Sequence, residues 1–211
     1  MKYIKEYNNE YVDPFDEEDW DEVEPDGKFL TWLKNKYPNK NKWKYIKYIN
    51  CRRQNLTDLI GIEKLINLGY LSCDNNQLTE LDISKNIKLI RLFCHNNELT
   101  ELDISKNINL NILDCSHNQL KELDNKNIKG RPFRYYREND LKDLYCSYNQ
   151  LTELDVTKNI NLIYLYCENN QLTELDISKN IKLEELYCEH NKLTKLDVSK
   201  NTKLKYINKY T

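Results

Sequence analysis

Between residues 45 and 211 the apolar positions recur in one frame, LxxLxCxxNxL, with polar residues between them. Complete copies start at Leu68, Leu89, Leu110, Leu141, Leu162 and Leu183, and a weaker copy runs through Ile46, Ile49, Cys51, Gln54 and Leu56. The seven cysteines, at 51, 73, 94, 115, 146, 167 and 188, mark the period, with intervals of 22, 21, 21, 31, 21 and 21 residues. Self-similarity at such a spacing is the mark of a stacked array. Within each copy the LxC step puts Leu71 and Cys73 on one face and Ser72 on the other, which predicts a short strand. No 21-residue unit holds an unbroken helical pattern of ten residues. A single unit cannot fold alone, because only its neighbours cover its apolar face.

Each column of the frame has a physical reading. Inward cysteines are small apolar fillers, where a larger side chain in every copy would crowd a narrow turn. The asparagines at 76, 97, 118, 149, 170 and 191 stand where the strand leaves the sheet, so their amides can satisfy backbone groups that the ladder no longer pairs. Asp82, Asp103, Asp124, Asp155, Asp176 and Asp197 precede a tight bend and are expected to bond the backbone two residues on.

These features, with returns such as TELDISKN at Thr79 to Asn86, resemble the short repeats of leucine-rich repeat proteins. They are similar to those of internalin-like bacterial proteins and of amoeba-infecting giant viruses. The resemblance implies an α/β repeat solenoid: seven repeats plus a terminal strand form a parallel concave sheet, and the convex side returns by extended or 3-10 turns. Little helix is expected beyond an N-terminal cap.

The two ends depart from the repeat. Residues 28–44 carry Phe29, Leu30, Trp32, Leu33 and Tyr37 at amphipathic spacing, and with Trp43 they predict a helical cap over the first repeat. At the other end a truncated copy contains Leu204 and Ile207, and the next cysteine position, 209, is Lys, which ends the apolar column and discourages edge pairing. Residues 1–27 form an acidic segment: from Glu10 to Asp26 there are ten carboxylates and no basic residue. Such a composition predicts disorder in isolation. It reads either as a solvating tail or as an acidic-aromatic peptide, with Phe15 and Trp20, that docks on a basic partner or on the chain's own Lys-rich cap.

Overall charge narrows the functional classes. Thirty-two Lys+Arg against 34 Asp+Glu give −2, with a mean hydropathy of −0.84 over 211 residues. Nucleic acid is therefore disfavoured as a partner, no membrane association is expected, and the polar N-terminus points to a cytoplasmic protein. The chain holds no GxxxxGK[ST], GxGxxG, GxSxG or HExxH, so neither an enzyme nor a cofactor is expected. His95, His117 and His190 follow cysteines closely, yet His95 faces away from Cys94, and cysteines strung along a line do not converge as a zinc site requires. No metal is assigned, and the cysteines are read as reduced core thiols.

The positions flanking the inward Leu and Cys form the concave face. There Phe93, Tyr145, Tyr166 and Tyr187 make an aromatic column with Tyr164 beside it, framed by Asp143, Glu168, Glu185 and Glu189. These residues are the expected partner-binding site, for a protein or peptide with basic contacts; cross-strand packing without function is the plain alternative. Ten extra residues enter between Leu123 and Leu141, an insertion near 127–140, and bring Arg131, Phe133, Arg134, Tyr135, Tyr136 and Arg137 as a secondary candidate loop. The leading expectation is a monomeric, non-enzymatic interaction scaffold. The alternative is a self-associating structural or packing component.

Overall fold

The computed structural model describes residues 28–123 and 141–208. The acidic segment, the arginine- and tyrosine-bearing insertion, Asp124 and Lys209 lie outside the described residues. Eight three-residue strands stack in chain order into one parallel sheet: β1 Tyr48–Asn50, β2 Tyr70–Ser72, β3 Arg91–Phe93, β4 Ile112–Asp114, β5 Asp143–Tyr145, β6 Tyr164–Tyr166, β7 Glu185–Tyr187 and β8 Tyr206–Asn208. The register follows the repeat. Ile49, Leu71, Leu92, Leu113, Leu144, Leu165, Leu186 and Ile207 pair in one row across the sheet. The 31-residue interval does not disturb it, since β4 and β5 pair in the same register as every other pair.

Leucine and cysteine columns fill the interior, and all seven cysteines are thiols with at most 1% of their surface exposed. Burial pushes the pKa values of Cys51, Cys73, Cys94, Cys115, Cys146 and Cys167 far above the ordinary range. Several thiols point at the next strand, as Cys51 Sγ donates to Ser72 O at 3.4 Å and Cys73 Sγ to Phe93 O at 3.5 Å. A small side chain with a weak donor suits that place better than alanine would.

The strand exits are held by the asparagine column, as its spacing predicts. Asn118 Nδ2 donates to Cys94 O and Cys115 O at 3.1 Å, and its Oδ1 accepts from Leu99 N at 3.0 Å. Asn97, Asn149, Asn170 and Asn191 repeat this pattern, so each amide ties its own repeat to the preceding one. The aspartates behave likewise: Asp82, Asp103, Asp155, Asp176 and Asp197 each accept from the backbone N–H two residues on, at 2.8–3.0 Å. The return is a pair of i→i+3 turns, Asn86 N to Ile83 O and Leu89 N to Asn86 O in one repeat.

A second asparagine column emerges only in the fold. Asn86, Asn107, Asn180 and Asn201 are at most 3% exposed, and each donates twice to carbonyls of the repeat before it. Just ahead of the first column, Asn75, Asn96, His117, Tyr148, Asn169 and His190 hold φ between 52° and 58°. That left-handed conformation favours Asn, which accounts for three of the six.

The cap is a helix, α1 Phe29–Lys36, followed by a 3-10 turn at Lys40–Tyr45. Phe29, Trp32, Leu33 and Trp43 join the solenoid's core. Trp43 Nε1 donates to Tyr37 O at 2.7 Å, and Lys28 bridges Asp58 in parallel. Gly61, at φ +108°, lets Leu30 approach closely, for a Cβ there would sit 2.9 Å from Leu30 Cδ1.

Candidate concave binding face

Each strand presents three outward positions: one on either side of the inward Leu and one after the Cys. In β1 to β4 these carry Arg52, Arg91, His95, Asp74 and Asp114, a mixture of signs. In β5 to β7 they carry Asp143, Glu168, Glu185 and Glu189 with Tyr145, Tyr164, Tyr166, Tyr187 and Ser147, and no basic residue. The face is therefore two patches.

On the acidic patch the predicted tyrosines meet. The Tyr145 and Tyr166 rings lie 4.9 Å apart, edge on at 81°, and those of Tyr166 and Tyr187 lie 4.5 Å apart, tilted by 55°. All three are half-buried, as is Tyr164, whose hydroxyl pKa is raised by burial and by the charges of Glu184, Glu185 and Asp143. Tyr166 donates to Glu185 Oε2 at 2.5 Å.

Two carboxylates sit beside the tyrosines at the sheet's exit edge. Glu168 is 8% exposed, and its Oε2 accepts from Ser147 Oγ at 2.6 Å. Burial, with the neighbouring Glu189 charge, raises its pKa, while the Ser147 bond pulls the other way. Asn208 Nδ2 donates to Glu189 Oε1 at 3.0 Å, and Glu189 Oε2 is buried with no hydrogen-bond partner. Neither glutamate makes an ion pair among the described residues. Asp143, only 4% exposed, adds a further carboxylate on β5.

Phe93 does not belong to this column. Asp114 stands between it and Tyr145 in the register, and Phe93 instead packs with Tyr70 at 5.5 Å, which stacks on Tyr48 at 4.3 Å. Beside this second aromatic group, His95 is clamped across three strands: Nδ1 lies 3.0 Å from Asp114 Oδ2 and Nε2 3.5 Å from Asp74 Oδ2. Burial alone disfavours the imidazolium, yet close contact with Asp114 and the charges of Asp114 and Asp74 hold the His95 pKa above its usual range. The sequence sets His95 away from Cys94 and on the concave face. The signal for the clamp was available in the outward register, which aligns 74 with 95 and sets 114 beside them.

Among the described residues no group of His, Cys, Asp or Glu is placed to hold a metal, and no helix is long and apolar enough to cross a membrane.

Solved structures with the same architecture include the functional domain of InlJ from Listeria monocytogenes, described as including a cysteine ladder. It is 34% identical at a TM-score of 0.61, over 77% of this chain and 38% of that one. The LRR domain of a Shigella effector is 25% identical at a TM-score of 0.61, over 81% of this chain and 68% of that one. Internalin C2 from Listeria monocytogenes, 22% identical over 82% of this chain and 76% of that one at a TM-score of 0.64, shares the fold. The chain thus spans well under half of the InlJ domain's length. No family model and no curated protein matches the chain.

Proposed function

Because the chain is a leucine-rich repeat protein, we propose that it is a non-enzymatic scaffold whose concave face takes a basic segment of another protein across β5 to β7. A parallel array of short strands is a rigid platform, and rigid platforms bind extended partners with little ordering cost. Tyr145, Tyr164, Tyr166 and Tyr187 supply amphipathic contact area, while Asp143, Glu168, Glu185 and Glu189 select Lys or Arg.

The observation that carries this reading is Glu168. A carboxylate 8% exposed, beside a second carboxylate and without an ion pair, is held against its own desolvation cost. An arriving ammonium or guanidinium relieves that cost and offsets the adjoining charge of Glu189. Sites kept at the expense of stability are the ones that function explains. Tyrosine packing alone explains the rings but not the buried charge. Phe93, with Tyr48 and Tyr70, lies on the other patch and is assigned to the flank of the binding segment.

The test is affinity capture from native lysate with wild type, the Tyr145→Ala/Tyr166→Ala/Tyr187→Ala variant and the Glu168→Gln/Glu189→Gln variant, each first shown to fold by circular dichroism. A partner held by wild type is expected to be lost from the first variant and weakened at least tenfold in the second. Identical captures from all three would exclude the patch as the binding site. Glu168→Gln alone is expected to leave stability at neutral pH unchanged or raise it, by up to about 1 kcal/mol on the scale of a surface-to-buried charge removal; urea titration reads this directly.

A further inference from the structure

The cap carries a cleft of its own. Leu30, Lys34, Lys40, Asn41, Trp43, Lys44 and Lys64 line a cleft of about 600 Å³ at the mouth of the solenoid. Its floor is apolar, from Leu30 and the buried Trp43, and its rim is cationic, with Lys64 Nζ 6.0 Å from the Trp43 ring centre. Lys34, Lys40 and Lys44 are exposed. The nearest carboxylate by sequence, Glu63, only grazes Lys64 at 3.9 Å. An apolar floor under a lysine rim suits an acidic segment with interspersed aromatics.

Such a segment is attached to the cleft itself. From residue 28 to 57 the chain has nine Lys or Arg and no carboxylate, and from 10 to 26 it has ten carboxylates and no base, with Phe15 and Trp20 among them. Two blocks of opposite sign, each self-repelling, meet at Gly27. Distance allows the contact. Trp20 stands eight residues before Lys28, and that many residues reach up to about 28 Å when extended. Lys34 follows Lys28 by little more than a turn and a half of helix, about 9 Å of rise. Tethering over so short a span gives an effective concentration on the order of millimolar, so even a weak contact is occupied.

We propose that the cap cleft is the docking site of the chain's own acidic-aromatic segment, residues 10–26, held by Lys34, Lys40, Lys44 and Lys64 with an aromatic side chain over Leu30 and Trp43. The contact neutralises the basic end of the solenoid and leaves the concave acidic patch open. It stands independently of the function proposed for that patch.

Zero-length carbodiimide coupling of the full chain tests it, using an equal mixture of 14N- and 15N-labelled protein and peptide mass spectrometry. Carboxylates of 10–26 are expected to link within one chain to Lys34, Lys40, Lys44 or Lys64, several-fold more often than to the return-segment lysines Lys85, Lys106, Lys158, Lys179 and Lys200. The yield is expected to fall several-fold in 0.5 M NaCl, where screening reaches only about 4–5 Å. In a Lys34→Glu/Lys40→Glu/Lys44→Glu variant, whose sites are all exposed, the link to Lys64 is expected to fall as well. An even spread over all lysines, an absence of cap links, or mixed-isotope links amounting to about half of the total, the share that an equal mixture gives when every link joins two chains, would each overturn the proposal, the last by assigning the segment to a second copy.

Discussion

At the scale of single residues, buried amides tie repeat to repeat alongside the apolar columns. Asn118 bonds four backbone groups at once, Leu99 N–H and the carbonyls of Cys94, Cys115 and Ser116. Each buried group left unsatisfied costs about 1–3 kcal/mol, so Asn118→Ala is expected to lose about 3 kcal/mol or more in urea unfolding. Asn118→Asp should do no better, because a carboxylate keeps the acceptor and loses the donor. His95 gives a pH signature. Its folded pKa lies above the ordinary value, so the stability it brings is fully present below the unfolded value, about 6.5, and is lost as pH rises through the higher folded value. His95→Gln should therefore cost more stability at about pH 5.5 than at about pH 9, and equal losses at both would show that the Asp74 and Asp114 clamp contributes nothing.

At the scale of elements, each strand is only three residues long, and its place in the stack decides what it contributes. Leu144 in β5 has no exposed surface, while Ile207 in β8 is 41% exposed. A fully buried Leu→Ala substitution loses transfer energy and leaves a cavity, so Leu144→Ala is expected to cost about 3 kcal/mol, within the usual 2–5. Ile207→Ala should cost under about 1 kcal/mol, since much of that side chain is already in water. Chemical denaturation of both variants checks the contrast. The cap has the opposite standing to β8: its Phe29 and Leu33 are fully buried, and they cover the first repeat.

At the scale of the whole molecule, stability is a chain of nearest-neighbour interfaces, and the cysteine column is its natural probe. The thiols are buried, and burial raises the pKa values of Cys94 and Cys146 among them, so a disulfide reagent reaches the column only through opening. Labelling followed by mass spectrometry is expected to modify Cys51 or Cys188, nearest the ends, before Cys94, Cys115 and Cys146. Simultaneous modification of all seven would mean that the array opens as one cooperative unit instead of from its ends.

Local periodicity by itself determined the stacked short strands, the inward Leu and Cys columns, the Asn118-type amides and the Asp82-type turns, because each follows from residue type at a fixed spacing, while the parallel sheet was implied by the family resemblance that the repeat carries. The cap was legible too, from an apolar stripe bounded by Gly27 and Pro38. Only the tertiary structure packed Phe93 on Tyr70, buried Glu168 against Ser147 and revealed the second amide column at Asn86, whereas the neighbours of His95 were already open to the outward register. The reason is physical: these contacts join residues about 19 to 24 positions apart, and their burial depends on how neighbouring side chains fill the space between strands. A repeat frame says which residues share a face, while packing decides which of them touch and which are kept from water.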